Sequence, residues 1–126
     1  MISVVSFGTN DKEKAKAFYE AIFSEVFGDA YQTQETERSV GWNTGGVSFG
    51  VSIPFDGEPA TVGNGSMVCI NVETNANVEH AYNKAISLGG SCEGGPGYRE
   101  NGAYCAYFRD LDGNKLLAFA RENVDV

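Results

Sequence analysis

The side chains able to do chemistry in this sequence are few and widely spaced. There is one histidine, His80, and there are three cysteines, Cys69, Cys92 and Cys105. A lone imidazole cannot form a histidine-pair metal site, and the cysteines have neither a CxxC pair nor any other zinc-like spacing. Three thiols fit a reducing cytoplasm better than a disulfide framework. Alternation along the strands puts Cys69 on the face of Met67 and Cys105 on the face of Tyr107, so these two thiols could share a cavity. A cavity thiol becomes nucleophilic where a cation lowers its pKa, and Arg109 falls on the Cys105 side; the other reading is a pair of small buried hydrophobes. Tyr107 and Arg109 are the polar groups best placed to orient a ligand. Tyr107 could instead be a core aromatic bonded to the backbone, and Arg109 a partner of Asp110 or Asp112. Trp42, Tyr31, Phe49, Phe55 and Tyr98 are aromatic candidates to line or cover a cavity, unless they are core. His80 falls at the boundary of a helix's polar side.

These side chains need a scaffold, and Tyr104 to Phe119 supplies its last part. Two apolar segments, Tyr104 to Phe108 and Lys115 to Phe119, flank Asp110-Leu111-Asp112-Gly113-Asn114. The glycine can take the positive φ of a tight reversal, which predicts a β-hairpin. Tyr104, Ala106 and Phe108 then share one face, and Cys105, Tyr107 and Arg109 the other. Both faces are partly apolar, so one packs on helices and the other lines a concavity.

Earlier in the chain, Ile2 to Phe7 reads as a strand and Gly8 to Asp11 as a turn with N-cap residues. Ala15, Phe18, Tyr19, Ile22, Phe23 and Val26 recur at spacings of three and four, predicting a helix from Asp11 to Phe27 that stops at Gly28. A short edge strand within Asp29 to Arg38 precedes strands at Ser39 to Asn43 and Val47 to Ile53; the small face of the latter, Ser48, Gly50 and Ser52, leaves room for a ligand. Pro54 to Ser66 reads as a connection. The pattern then restarts: a strand from Met67 to Val72, a cap at Asn75 or Asn77, a helix through Val78, Ala81, Tyr82, Ala85 and Ile86, a stop at Leu88-Gly89-Gly90, and a flexible glycine-rich segment from Gly94 to Gly102. Placing Val4 against Met67 aligns both halves, so the sequence implies a duplicated βαβββ unit.

Composition narrows the partners. The length of 126 residues suits a single domain, expected over 1–126 with modules at about 1–56 and 64–122. The N-terminal MISVVSF lacks a basic flank and reads as a strand rather than a signal peptide, and no run is apolar for long enough to span a bilayer, which predicts a cytoplasmic protein without a membrane partner. A net charge of -8 with no basic stripe argues against nucleic acid and favours a cationic or amphipathic ligand by long-range attraction.

Three stretches, FGTNDKEKAKAFYEAIF (Phe7 to Phe23), PFDGEPATVGNGSMV (Pro54 to Val68) and YFRDLDGNKLLAF (Tyr107 to Phe119), together with the duplication, resemble the vicinal oxygen chelate superfamily of glyoxalase, bleomycin-resistance and extradiol dioxygenase proteins. The last is similar to that family's Asp-Pro-Asp-Gly-Asn turn, with Leu111 where proline is usual. The resemblance implies an α+β chain whose two tandem βαβββ modules form curved sheets around a shared cavity, and a homodimer. It also implies a metal site with histidine from the first strand and a carboxylate from the last strand of each half. Here those positions fall on Val4, Met67, Leu117 and the segment Val47 to Ile53, none of which supplies such a donor. An apolar pocket floor remains, and family members often have a hydrogen-bonding side chain where Tyr107 stands.

The expected function is therefore binding of a small organic ligand, without metal or cofactor, by Val4, Trp42, Ser48, Gly50, Met67, Cys69, Cys105, Tyr107, Arg109 and Leu117. The alternative is a metal-dependent lyase or dioxygenase using displaced ligands such as Glu73, Glu93 or Glu100.

Overall fold

The computed structural model describes residues 1–122; residues 123–126 of the expected domain lie outside the described residues. The elements run β1 (Val4–Gly8), α1 (Lys12–Phe27), β2 (Gln32–Glu35), β3 (Ser39–Asn43), β4 (Ser48–Ser52), β5 (Val68–Asn71), α2 (Asn75–Ser87), β6 (Ser91–Tyr98), β7 (Tyr104–Arg109) and β8 (Lys115–Ala120). They build two four-stranded sheets, ordered β1-β4-β3-β2 and β5-β8-β7-β6. In each sheet the first strand lies parallel to the last, while the other pairs are antiparallel. The duplication extends to single hydrogen bonds. Thr9 N donates to Ser52 O and Val72 N donates to Phe119 O. This equivalence puts Val4 on Met67 and, through the strand registers, Gly50 on Leu117.

Helix α1 forms where the apolar spacing predicts it, capped by Asp11, whose carboxylate accepts from Lys14 N, and closed by Gly28 at φ 63°. Its face of Ala15, Phe18, Tyr19, Ile22 and Phe23 is buried. Tyr19, Phe23, Trp42 and Phe49 meet ring against ring, with centroids 5.0 to 6.2 Å apart. Each such buried ring contributes roughly 1.5–3 kcal/mol. In the second module α2 lays Val78, Ala81 and Ala85 into the same core as Ala106, Phe108, Leu116 and Ala118.

Two local expectations are corrected. The cap of α2 is Thr74, whose extended backbone lets its hydroxyl accept from Asn77 N; Asn77 instead donates to Val72 O and Val26 O, joining the helices. The segment expected to be a flexible glycine-rich loop is mostly strand β6. It pairs with β7 through register shifts between Cys92 and Gly94 and between Gly94 and Gly97. An edge strand tolerates glycine and proline at such bulges, where the ladder is already interrupted.

The hairpin turn at Asp110 to Asn114 does more than reverse the chain. Asp110 Oδ1 accepts from Asp112 N and Asn114 N, which closes the turn around Gly113 at φ 91°. The turn then grips the first module. Thr9 Oγ1 and Asn10 N donate to the Asp112 carboxylate at 2.6 and 2.9 Å, and Asn114 Nδ2 donates to Gly8 O at 3.1 Å. Tyr19, at 1% exposure, donates its hydroxyl to Asp110 Oδ2 at 2.5 Å. Asn10 meanwhile exchanges two hydrogen bonds with the backbone of Ala60 and so holds the connection in place.

Replacing Tyr19 with Phe should cost about 1.5–3 kcal/mol at neutral pH, because a buried carboxylate loses a donor. Burial first, then the Asp110 and Asp112 charges, pushes the Tyr19 phenol well above its ordinary value of 10.0. A phenol raised on folding stabilises fully below its unfolded pKa, and that contribution is lost as pH rises towards the folded value. Urea unfolding should therefore show wild type losing stability more steeply than Tyr19→Phe above about pH 10; parallel curves would remove Tyr19 from the linkage.

Candidate functional site

Two cavities and one open sheet face carry the candidate residues. The first cavity, about 520 Å³, is the concave face of the first sheet. Alternation turns Val4 and Ser6 of β1, Ser39 and Asn43 of β3, and Ser48 and Ser52 of β4 into it, with Gln32 and Gln34 from β2. Hydroxyls and amides alternate with the apolar groups of Val4, Val40, Trp42, Phe49 and Val51 in its wall, and no charged side chain lines it. Gly50 sits on its floor because a Cβ there would stand 2.9 Å from Val40 O. Val4, Trp42, Ser48 and Gly50 of the expected set thus fall together.

The second cavity, about 360 Å³, lies between the modules. The first module supplies Phe23, Phe27, Tyr31, Trp42 and Phe49, and the second supplies Val68, Cys69, Ile70 and Asn71. Trp42 is 3% exposed, so it is a wall of packed core rather than a free stacking platform; its indole N–H reaches Glu20 at 3.4 Å. Of the other aromatic candidates, Tyr31 and Phe49 line this cavity. Phe55 and Tyr98 do not: Phe55 is 92% exposed beneath the Arg38 guanidinium, and Tyr98 packs edge-on to Tyr104.

The remaining candidates stand on the open face of the second sheet. Cys69, Leu117 and Tyr107 form one row across β5, β8 and β7, and Cys105 lies opposite Phe119 in the neighbouring row. Met67 precedes β5 and is exposed. The expected residues therefore divide between the two modules rather than converging on one point, and Cys69 and Trp42 mark the boundary.

The thiol-activation reading is corrected. Burial raises the Cys105 thiol, outweighing the lowering by Arg99 and Arg121. Cys69 is raised by burial and then by the nearby Cys105. Arg109 pairs with neither Asp110 nor Asp112; its guanidinium bonds Glu93 at 2.6 Å and Gly113 O at 2.8 Å. His80 is exposed on α2. Arg99 was not legible as a functional residue. It follows a glycine-rich segment, and only the folded strand shows its guanidinium beside Tyr107, 5.5 Å from the ring centroid.

The positions where the fold family would place metal donors are Val4, Gly50, Met67 and Leu117. Two aliphatic side chains, a thioether and a bare glycine do not fit a hard cation. Among the displaced candidates Glu93 is engaged by Arg109, and no three His, Cys, Asp or Glu side chains cluster as a metal-holding group among the described residues.

Paired βαβββ modules, each with its first strand parallel to its last and one helix on its sheet, define a glyoxalase-type scaffold. A family model for the Glyoxalase/Bleomycin resistance protein/Dioxygenase superfamily matches residues 2–117, and the chain belongs to that superfamily. A glyoxalase/bleomycin resistance protein from Albidiferax ferrireducens is 34% identical over 96% of this chain and 98% of its own, with a TM-score of 0.87. A glyoxalase/bleomycin resistance protein/dioxygenase family enzyme from Burkholderia phytofirmans (21% identity, 94% and 96% coverage, TM-score 0.72) shares the fold. So does a lactoylglutathione lyase from Agrobacterium tumefaciens (21%, 95% and 92%, TM-score 0.64). No protein of curated function matches the chain.

Raised thiol pKa values predict slow chemistry. With iodoacetamide at pH 7, followed by mass spectrometry, Cys69 should be modified more slowly than a free thiol and Cys105, 3% exposed, only on unfolding. Rapid alkylation of Cys105 in the folded protein would restore a thiol nucleophile.

Proposed function

We propose that this chain binds a small organic ligand in the aromatic cavity between its modules, using the superfamily scaffold for binding rather than for chemistry at its usual metal position. The carrying observation is the makeup of that cavity. Five aromatic side chains from the first module face an aliphatic and thiol edge from the second, within about 360 Å³. Pockets of roughly 300–1,000 Å³ with apolar walls and few polar groups are the usual form of small-molecule sites. Asn71 and Thr44 supply the polar atoms that would orient a ligand, and burial against the rings would supply most of the affinity.

The cavity wall has no charged side chain, so the net charge of -8 acts only on approach. It favours a cationic amphiphile over an anionic one, and binding of such a compound that is indifferent to salt would remove this steering. A homodimer belongs to the same proposal. The outer edges of β1 and β5 pair with no strand among the described residues, and Ile2, Val4 and Met67 are exposed along or beside them. No helix is long and apolar enough to cross a membrane among the described residues, and a cytoplasmic setting is proposed from the free cysteines.

Trp42, the one tryptophan, walls both cavities, so its energy transfer reports binding in either and the variants tell which. Titration with the neutral dye N-phenyl-1-naphthylamine should give saturable energy transfer from Trp42. Cys69→Phe, which fills the cavity edge, should weaken binding about tenfold or more, whereas Ser48→Phe in the first cavity should change it less than about twofold. Reversal of that order, or no saturable binding, contradicts the proposal.

A further inference from the structure

We propose that Asn64 is a site of spontaneous covalent modification, where the side-chain amide is lost as ammonia and the connection between the modules acquires an isoaspartate. Four places in the chain set an Asn or Asp side chain directly before glycine: Asp56-Gly57, Asn64-Gly65, Asn101-Gly102 and Asp112-Gly113. In such a pair the glycine amide nitrogen can reach the preceding Cγ, because no Cβ stands beside it. The four pairs differ in whether that nitrogen and that side chain are already engaged.

Three of the pairs are locked. Gly57 N donates to Pro54 O at 3.1 Å, Gly102 N to Arg99 O at 2.9 Å and Gly113 N to Asp110 O at 3.1 Å. Their side chains are held as well: Asp56 Oδ1 accepts from Glu58 N, Asn101 Oδ1 from Ala103 N, and the Asp112 carboxylate from Thr9 and Asn10. Asn64 and Gly65 differ in both respects. Among the described residues neither the Asn64 side-chain amide nor the Gly65 amide nitrogen has a hydrogen-bond partner. The turn that carries them is closed by Ser66 N donating to Gly63 O at 3.1 Å. Gly65 takes φ 93°, and nothing lies within 4 Å of a Cβ placed on it, so the backbone there has room to rotate into the attacking geometry. Asn64 and Asn101 are both exposed, so access to water does not separate them; their hydrogen bonds do.

The reaction needs only solvent. Gly65 N gives up its proton to a base in the water and bonds to Asn64 Cγ; the bond from Cγ to the side-chain nitrogen breaks, and that nitrogen leaves as ammonia. Water then opens the resulting succinimide at either carbonyl. Opening at Cγ gives aspartate, and opening at the main-chain carbonyl gives isoaspartate, whose main chain runs through Cγ and is one carbon longer. That carbon enters between two anchors. Upstream, Asn10 exchanges two hydrogen bonds with the backbone of Ala60, and downstream β5 begins at Val68. Either product also adds one negative charge to a net charge of -8. Neither Asn64 nor Gly65 lines the two cavities, so this inference is independent of what they bind.

The test incubates the full chain in mildly alkaline buffer at physiological temperature and separates acidic species by ion exchange. Peptide mass spectrometry with electron-transfer fragmentation then locates the change and distinguishes aspartate from isoaspartate. The acidic species should carry the change at Asn64, with isoaspartate present. Asn101 should react about tenfold or more slowly, because its two hydrogen bonds must break first. In urea those bonds are gone, and the two rates should converge to within about threefold. Asn64→Gln, whose longer side chain closes the ring poorly, should suppress the acidic species while leaving thermal unfolding unchanged. The inference is overturned if Asn101 reacts as fast as Asn64 in the folded chain, if Asn64 reacts only in urea, or if Asn64→Gln accumulates the same acidic species at the wild-type rate.

Discussion

The grip of one turn on the opposite module is the constraint from which the rest of this structure follows. Asp110 folds the hairpin by accepting from Asp112 and Asn114, and the same residues then bind Gly8, Thr9, Asn10 and Tyr19. A βαβββ unit with one helix cannot cover its sheet and its own helix surface alone. Docking the two units brings α1 against α2 and closes the aromatic hollow between β5 and the first module's core. The contact is polar and its Tyr19–Asp110 hydrogen bond is buried, so it favours one arrangement strongly. An unmatched Asp110 or Tyr19 would leave a buried group without a partner.

The two halves share a hydrogen-bond plan yet have diverged in what they present. The equivalent turn of the first module, from Asn43, satisfies itself: Asn43 bonds Gly45 N, Gly46 O and Ser48 Oγ and, among the described residues, no group of the second module. The first sheet's concave face sets uncharged serine and glutamine among Val4, Trp42 and Phe49, whereas the second sheet's open face is cationic around a tyrosine. The positions to which the family resemblance assigns metal donors hold Val4, Gly50, Met67 and Leu117. One scaffold thereby offers an uncharged mixed hollow, an apolar aromatic hollow and a basic face, which is how a superfamily fold can change ligand without changing topology.

Much of this was legible in the sequence because it is local. The α1 stripe, the small face of β4 and the glycine in the Asp110 to Asn114 turn all act within a few residues, and each element formed where its pattern lay. Strand β6 was not legible, since Gly94, Gly95, Pro96 and Gly97 read locally as loop, and only pairing with β7 makes them strand. The roles of Asp112 and Arg99 were hidden for a related reason. Asp112 meets partners about a hundred positions away, and Arg99 acts through carbonyls that the bulged strand positions. Sequence spacing also could not tell that Arg109 would choose Glu93 over the adjacent Asp110, because the choice depends on β6 lying beside β7.

The central claim, that the turn's grip creates the intermodule cavity, is tested most directly by hydrogen exchange with mass spectrometry on Asp112→Ala. This variant removes the bonds to Thr9 and Asn10 while leaving both cores intact. Exchange should quicken at the end of α1, the start of α2 and β5, with β3, β4, β7 and β8 still protected. Uniform loss of protection, or none at all, would contradict it.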